Sequence, residues 1–328
     1  MTWAGLALRR IHEQAPTALV TVVGAEGSTP RESGARMLVG EAWMSGTIGG
    51  GHLEWLAADQ ARRLLRQDAR DYAVQDYPLG PLLAQCCGGR VRLLFERIGE
   101  DSRPWLADVD AALRTGRTFA LEAEFGPSAL RRSVVFPDDQ WPGWLSTSSI
   151  RLIPRSNEAR PSRSLPEAGD RLVERIEAYR PSVLVFGAGH VGLAVARAFA
   201  PLPFRFSLAD IRPEAAADGV DVLAQEALLE AARTPADYVL VMTHSHELDY
   251  RLILAALTNG GGGYVGLIGS LTKRARFLSR LRKDGVAEAA LARLVCPIGL
   301  PQLKSKAPEV IAVSVAADLL QRAEAARG

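Results

Sequence analysis

Val183-Leu-Val-Phe-Gly-Ala-Gly-His-Val-Gly192 is the stretch whose reading decides the fold of this chain. Val183 to Phe186 are four consecutive apolar residues, the pattern of a strand buried on both faces. Gly187, Gly189 and Gly192 follow in G-x-G-x-x-G spacing, and Leu193 to Ala200 opens a helix. Each glycine has its own task. Gly187 permits the tight turn out of the strand, Gly189 lets a phosphate approach the backbone, and Gly192 lets the helix pack close to the strand. The helix N-terminus then offers free N–H groups to an anion. A second strand pattern, Phe204 to Leu208, leads to Asp210, 18 residues beyond Gly192. An acid at about that spacing can bind a ribose hydroxyl. The expected fold is α/β, with a Rossmann-type doubly wound parallel sheet in the C-terminal half. Such a unit either binds a nucleotide such as NAD(P) or only shapes a cleft, because fold does not fix ligand.

Further along, Tyr238 to Met242 reads as a third buried strand, ending in Thr243-His-Ser-His-Glu-Leu-Asp249. Ligands of open α/β sheets bind at the carboxyl ends of strands. Thr243 and His244 therefore join Gly187, Gly189, His190, Gly192 and Asp210 as nucleotide-binding candidates. His244, His246 and Asp249 read either as a metal or base cluster or as loop and helix caps. Tyr264 to Ile268 and Gly269-Ser-Leu-Thr-Lys-Arg-Ala-Arg276 repeat the order strand, small polar turn, basic helix. Cys296 reads as core filler. Pro308 suits the first position of a final helix running to Ala323, whose apolar spacing makes a homodimer the expected assembly.

The N-terminal half reads as a mixed α+β domain over 1–150, joined by a linker over 151–180 to the Rossmann-type domain over 181–328. The linker rests on the proline-, serine- and arginine-rich stretch Trp141 to Pro166. Strand patterns at Thr17 to Val23 and Ala35 to Val39 flank the loop Gly24 to Gly34. There Ser28, Thr29 and Arg31 can present hydroxyls and a forked guanidinium to an oxyanion, or the segment is a long hairpin loop without a ligand. Gly49, Gly50 and Gly51 enter the helix Leu53 to Gln67 and form a second candidate anion cradle. Glu54 reads as a capping carboxylate, and His52 as either ligand-reaching or solvated. Gln85-Cys-Cys-Gly-Gly89 precedes a strand from Arg90 to Phe95. Adjacent side chains on an extended chain point to opposite faces, so Cys86 and Cys87 do not chelate one metal together. One of them, Cys86 or Cys87, is the candidate soft metal ligand or sulfur nucleophile and the other is filler; spacing does not say which.

Composition bounds the function. The 328 residues are 48% hydrophobic and 23% charged, the profile of a globular protein with real cores. A net charge of +2, from 39 basic and 37 acidic residues, predicts neither a nucleic acid nor a membrane surface as partner. Three cysteines, and an N-terminus (MTWAGLALRR) without a signal-peptide pattern, lead us to expect a reducing, cytoplasmic location.

Taken together, GSTPRESGARMLV (27–39), GTIGGGHLE (46–54), QCCGGRV (85–91), VLVFGAGHVG (183–192), MTHSHELD (242–249), YVGLIGS (264–270) and CPIGL (296–300) occur in the order seen in the XdhC/CoxI family. That resemblance covers nearly the whole chain and joins two unrelated halves. Its best-known members are xanthine dehydrogenase accessory proteins. It implies a chaperone for molybdenum cofactor (molybdopterin) with little or no turnover of its own. Such a protein holds the cofactor while a cysteine desulfurase exchanges a terminal oxo ligand for sulfido. It then passes the cofactor to the molybdenum-binding subunit of xanthine dehydrogenase. On that resemblance the cofactor phosphate falls to the Ser28, Thr29 and Arg31 loop or to Gly49, Gly50 and Gly51. Molybdenum falls to the Gln85-Cys86-Cys87 motif. Lys304 and Lys306 make the segment Ile298 to Pro308 more basic than the family pattern. The alternative is an NAD(P)-dependent oxidoreductase, with His190, His244 and His246 as candidate partners for proton or hydride transfer.

Overall fold

Two antiparallel sheets organise the first half of the chain, and one parallel sheet organises the second. The computed structural model describes residues 1–67, 69–79, 88–136, 150–156, 164–259 and 263–326. The chain divides into two units, Met1–Tyr179 and Arg180–Gly328.

In the first unit, helix α1 (Trp3–His12) is followed by strands β1 (Thr17–Glu26), β2 (Arg36–Val39) and β3 (Met44–Gly46), helix α2 (Gly51–Leu65), and strands β4 (Tyr72–Pro78) and β5 (Arg90–Ile98). Then come α3 (Arg103–Thr115), β6 (Phe119–Phe125), β7 (Leu130–Val135), β8 (Ile150–Ile153) and β9 (Arg171–Ile176). One sheet has the order β3-β2-β1-β5-β4, the other β7-β6-β9-β8. The first six residues of β1 are all buried, because this central strand is covered on both faces. On one side α2 lays Leu53, Ala57, Ala61 and Leu64 onto Val20, Val22, Leu93 and Phe95. On the other, Leu19, Leu38 and Ile98 meet α1, α3 and the β6 residues Phe119 and Leu121. Two buried ion pairs also cross between the sheets, Arg132 to Glu96 and Arg36 to Glu174.

The expected linker is not one. Residues 157–163 lie outside the described residues, but β8 and β9 fall within or at the edge of 151–180 and pair with each other, and β9 pairs with β6. Proline and arginine obscured these short strands, and β9 offers no alternation to betray it, since Leu172 to Glu174 are all buried.

In the second unit the elements are β10 (Ser182–Phe186), α4 (His190–Phe199), β11 (Arg205–Asp210), β12 (Val220–Val222), α5 (Gln225–Arg233), β13 (Tyr238–Val241), α6 (His246–Thr258), β14 (Tyr264–Leu267), α7 (Leu271–Lys283), α8 (Glu288–Leu291), β15 (Leu294–Val295) and α9 (Pro308–Ala325). All six strands are parallel, in the order β12-β11-β10-β13-β14-β15. That is the doubly wound order of a Rossmann fold, whose direction of winding reverses between β10 and β13. Helix α4 begins at His190, three residues before the expected Leu193, because Gly189 is its N-cap and Gly192 lies inside the first turn.

The final helix packs within its own unit. Ala312, Val315, Ala316, Leu319 and Ala323 of α9 are buried in a core shared with Ala194, Val195 and Phe199 of α4. Most of the apolar face is used inside the unit, while Val313 of the same helix is exposed.

Candidate functional site

In the second unit, the turn after β10 meets the turn after β13. Gly187 has φ +113°, and a Cβ there would lie 2.4 Å from the Met242 carbonyl oxygen and 2.9 Å from Thr243 N. A Cβ on Gly192 would lie 1.9 Å from the Gly187 carbonyl oxygen. These two glycines are required by close backbone packing. Gly189 differs: a Cβ there would meet nothing within 4 Å, so the space over the turn is open. His190 is exposed at the start of α4.

Asp210 sits at the carboxyl end of β11, buried to 3% exposure. Its Oδ2 accepts from Ala188 N at 2.7 Å and from Arg212 Nη2 at 2.8 Å. Its Oδ1 accepts from Arg212 N at 2.9 Å and from Arg212 Nε at 3.0 Å. Burial raises its pKa, but the Arg212 side chain and the two backbone N–H groups outweigh that and hold it at about 2. The acid expected to meet ribose is therefore fully engaged within the protein.

Thr243 is drawn into a network that links the segment after β13 to α6, α7 and the end of β14. Its N and Oγ1 donate to Asp249 Oδ1 at 3.0 and 2.7 Å. Lys273 Nζ donates to Asp249 Oδ2 at 2.7 Å and to the Ile268 carbonyl oxygen at 3.0 Å. Asp249 is 1% exposed, so it does not join the exposed His244 and His246 around a metal. Ser245 is the N-cap of α6 and accepts from Leu248 N, and Asp249 lies in the first turn, as expected of a capping residue there. Cys296 is buried, and burial pushes its thiol up against the opposing influence of Lys273 and Arg274.

In the first unit, three of the singled-out segments converge. A Cβ on Gly49 would lie 2.4 Å from Pro30 Cγ, so the glycine turn sits directly on the loop carrying Thr29 and Arg31. A Cβ on Gly89 would lie 2.3 Å from the Ser28 carbonyl oxygen and 2.5 Å from that of Glu26. The loop thus touches both the triple-glycine turn and the glycine pair that ends the cysteine motif. Gln85, Cys86 and Cys87 themselves lie outside the described residues. Ser28 is exposed, Thr29 and Arg31 half-buried, and among the described residues the carboxylate that Arg31 approaches is Glu32, at 3.5 Å. Arg90, which follows Gly89, is paired with Asp76.

The triple-glycine turn is not an open cradle along its length. Glu54 Oε1 accepts from Gly50 N at 2.8 Å, from Ile48 N at 2.9 Å and from Thr47 Oγ1, while Gly49 N donates to Thr47 Oγ1. Burial raises the Glu54 pKa, and these hydrogen bonds prevail and lower it. Gly51 is the first residue of α2, and His52 stacks on Trp55, which is 63% exposed. Among the described residues no cluster of three or more His, Cys, Asp or Glu side chains is arranged to hold a metal.

Residues 183–319 match the XdhC Rossmann domain, and residues 10–78 match the XdhC and CoxI family. The chain belongs to the XdhC family. Similarity to a Bacillus subtilis protein, named as a probable xanthine dehydrogenase subunit, runs the length of both chains, at 24% identity over 95% of this one and 94% of that one. An uncharacterised Escherichia coli protein, YqeB, is 34% identical over 44% of this chain; the match spans 28% of the YqeB length. A Bacillus halodurans protein described as a xanthine dehydrogenase shares the fold, with TM-score 0.75 and 22% identity over 99% of this chain and 96% of that one. Within this XdhC chain, the Rossmann match contains Gly187 through Cys296, and the N-terminal match contains Ser28 through Gly51. The cysteine motif lies in neither.

Sequence reasoning missed Lys273, Arg212 and Pro30 as parts of these arrangements. Arg212 had a local signal, an arginine two residues past the strand-ending acid. Lys273 had none, since it pairs with a side chain 24 residues away. No helix among the described residues is long and apolar enough to cross a membrane.

Proposed function

We propose that this chain binds molybdenum cofactor with its first unit, holds it during exchange of an oxo for a sulfido ligand by a cysteine desulfurase, and hands it to the molybdenum-binding subunit of xanthine dehydrogenase. Membership of the XdhC family implies the coarser statement, an accessory role towards xanthine dehydrogenase. The finer reading is supported by one observation: the Ser28 to Arg31 loop lies against both Gly49 and Gly89, so three separate motifs meet in one place.

The donor set suits an anionic, sulfur-bearing ligand. Among the described residues Arg31 pairs only loosely, with Glu32 at 3.5 Å, and Ser28 and Thr29 add hydroxyls on the same loop, a set that suits a phosphate monoester. Space is open over Gly50 and Gly88, where an added Cβ would meet nothing within 4 Å. Because Glu54 and Thr47 take up the Ile48, Gly49 and Gly50 N–H groups, the anion contact falls to the Ser28 to Arg31 loop rather than to the glycine turn. When bound, the cofactor supplies a molybdenum centre that favours soft sulfur ligation, and Cys86 or Cys87, which precede Gly88 and Gly89 in the sequence, would offer the thiolate. The role of the protein is to bind, orient and shield, not to turn over.

The test uses protein purified from a host that makes molybdenum cofactor, as wild type and as Cys86→Ala, Cys87→Ala and Arg31→Ala. Molybdenum is measured by mass spectrometry and oxidised pterin by fluorescence, per mole of protein. The expected result is near-stoichiometric cofactor in wild type, loss in one cysteine variant and reduced occupancy in Arg31→Ala. Absence of molybdenum and pterin from every sample, even after incubation with free cofactor, would sink the reading.

A further inference from the structure

We propose that the second unit selects a nucleotide carrying a phosphate monoester on its adenosine ribose, as NADP(H) does, over the free diol of NAD(H), with Arg212 as the discriminating residue. The inference stands apart from the cofactor role of the first unit and concerns a different ligand.

Three features carry it. The first is the state of Asp210. A carboxylate has about four lone-pair sites, and Ala188 N, Arg212 N, Arg212 Nε and Arg212 Nη2 occupy four. A ribose diol arriving at the end of β11 finds no free acceptor there. To gain one it must break a forked, charge-assisted pair whose carboxylate is 2% exposed.

The second feature is the part of Arg212 that the pair leaves over. Nε and Nη2 point at Asp210, whereas Nη1 has no partner among the described residues, and the side chain is 30% exposed. Asp210 thus does two things. It orients the guanidinium, and its own charge, which would repel a phosphate, is offset by the same arginine. A rigidly held guanidinium with spare N–H donors suits a phosphate far better than a hydroxyl.

The third feature ties this cation to the glycine turn. One carboxylate oxygen, Asp210 Oδ2, bonds both Ala188 N and Arg212 Nη2. The arginine is therefore held one carboxylate away from the Gly187-Ala188-Gly189 turn, where the open space over Gly189 admits a pyrophosphate. The separation between the two anion sites is fixed by covalent and hydrogen-bonded geometry rather than by a mobile loop.

The experiment is a fluorescence titration of the full-length protein with NADPH and with NADH, as wild type, Arg212→Ala and Arg212→Lys. Displacement of bound NADPH by adenosine 2′,5′-bisphosphate and by 5′-AMP is measured alongside. We expect wild type to bind NADPH at least about tenfold more tightly than NADH, the scale of one charge-assisted hydrogen bond. The bisphosphate should displace NADPH and 5′-AMP should not at the same concentration. Arg212→Ala should bring the two affinities together by weakening NADPH, and Arg212→Lys should keep part of the preference through its charge. Equal or tighter binding of NADH, no binding of either nucleotide, or a preference that survives in a folded Arg212→Ala protein would each overturn the proposal. Should Arg212→Ala fail to fold, the wild-type affinity ratio and the bisphosphate displacement decide it alone.

Discussion

Three glycines that look alike in the motif do different work. Gly192 sits where a methyl group would lie 1.9 Å from the Gly187 carbonyl oxygen, and no flexible side chain is available to yield. Gly192→Ala is expected to destabilise the second unit by about 2 kcal/mol or more through overpacking, read as a lower urea midpoint. Gly189 has φ −79° and open space in place of a neighbour, so Gly189→Ala should cost about 1 kcal/mol at most, the scale of a helix-cap substitution. Equal losses in the two variants would refute this division of roles. The motif spacing shows that both glycines belong to one pattern. Which one answers to packing and which to open space depends on atoms contributed by Gly187 itself and by the loop after β13.

Between elements, buried carboxylates act as joints. Asp249 at the start of α6 holds Thr243 behind β13 and Lys273 in α7, and Lys273 also reaches the end of β14. Lys273→Met would leave Asp249, at 1% exposure, without its cation. Breaking a buried pair from one side costs about 3 kcal/mol or more. The pairing of Asp249→Asn with Lys273→Met should recover a good part of that in denaturant unfolding, and a strictly additive double variant would argue against a direct couple. Elements themselves were legible to differing degrees. Val183 to Phe186 and Tyr238 to Val241 announce themselves by unbroken apolar runs. β12 and β15, with three residues and two, carry too little pattern to be read. β8 and β9 were hidden because their strand character comes from pairing partners, with neighbouring prolines and arginines imitating a linker.

For the molecule as a whole, each of the two units owns its apolar clusters: among the described residues, those of the second draw on positions from Val183 onward and those of the first on positions up to Ala178. A unit with its own core is able to fold alone. A chain of residues 180–328 is accordingly expected to unfold in a single cooperative transition by circular dichroism and to retain whatever nucleotide binding the full chain shows. A molten, non-cooperative fragment would show that the division of cores is not a division of folding units.

The sequence by itself determined the doubly wound unit, the glycine turns and the order of the family motifs. Those depend on periodicity and on backbone conformations that few residue types permit, and both are local properties. Only the tertiary structure decided what the charged groups do. Glu54 was legible as a capping carboxylate, but not that it takes up the Ile48 and Gly50 N–H groups of the turn expected to hold an anion; Asp210 is satisfied by Arg212 and Ala188 rather than left for a ribose, and Asp249 is joined to Lys273 rather than to two histidines. A carboxylate in a sequence is an acceptor without an address. Its partner is set by the fold, because the energy of a buried charge depends on which donor lies within about 3 Å, and that is a matter of packing between residues that local pattern does not connect.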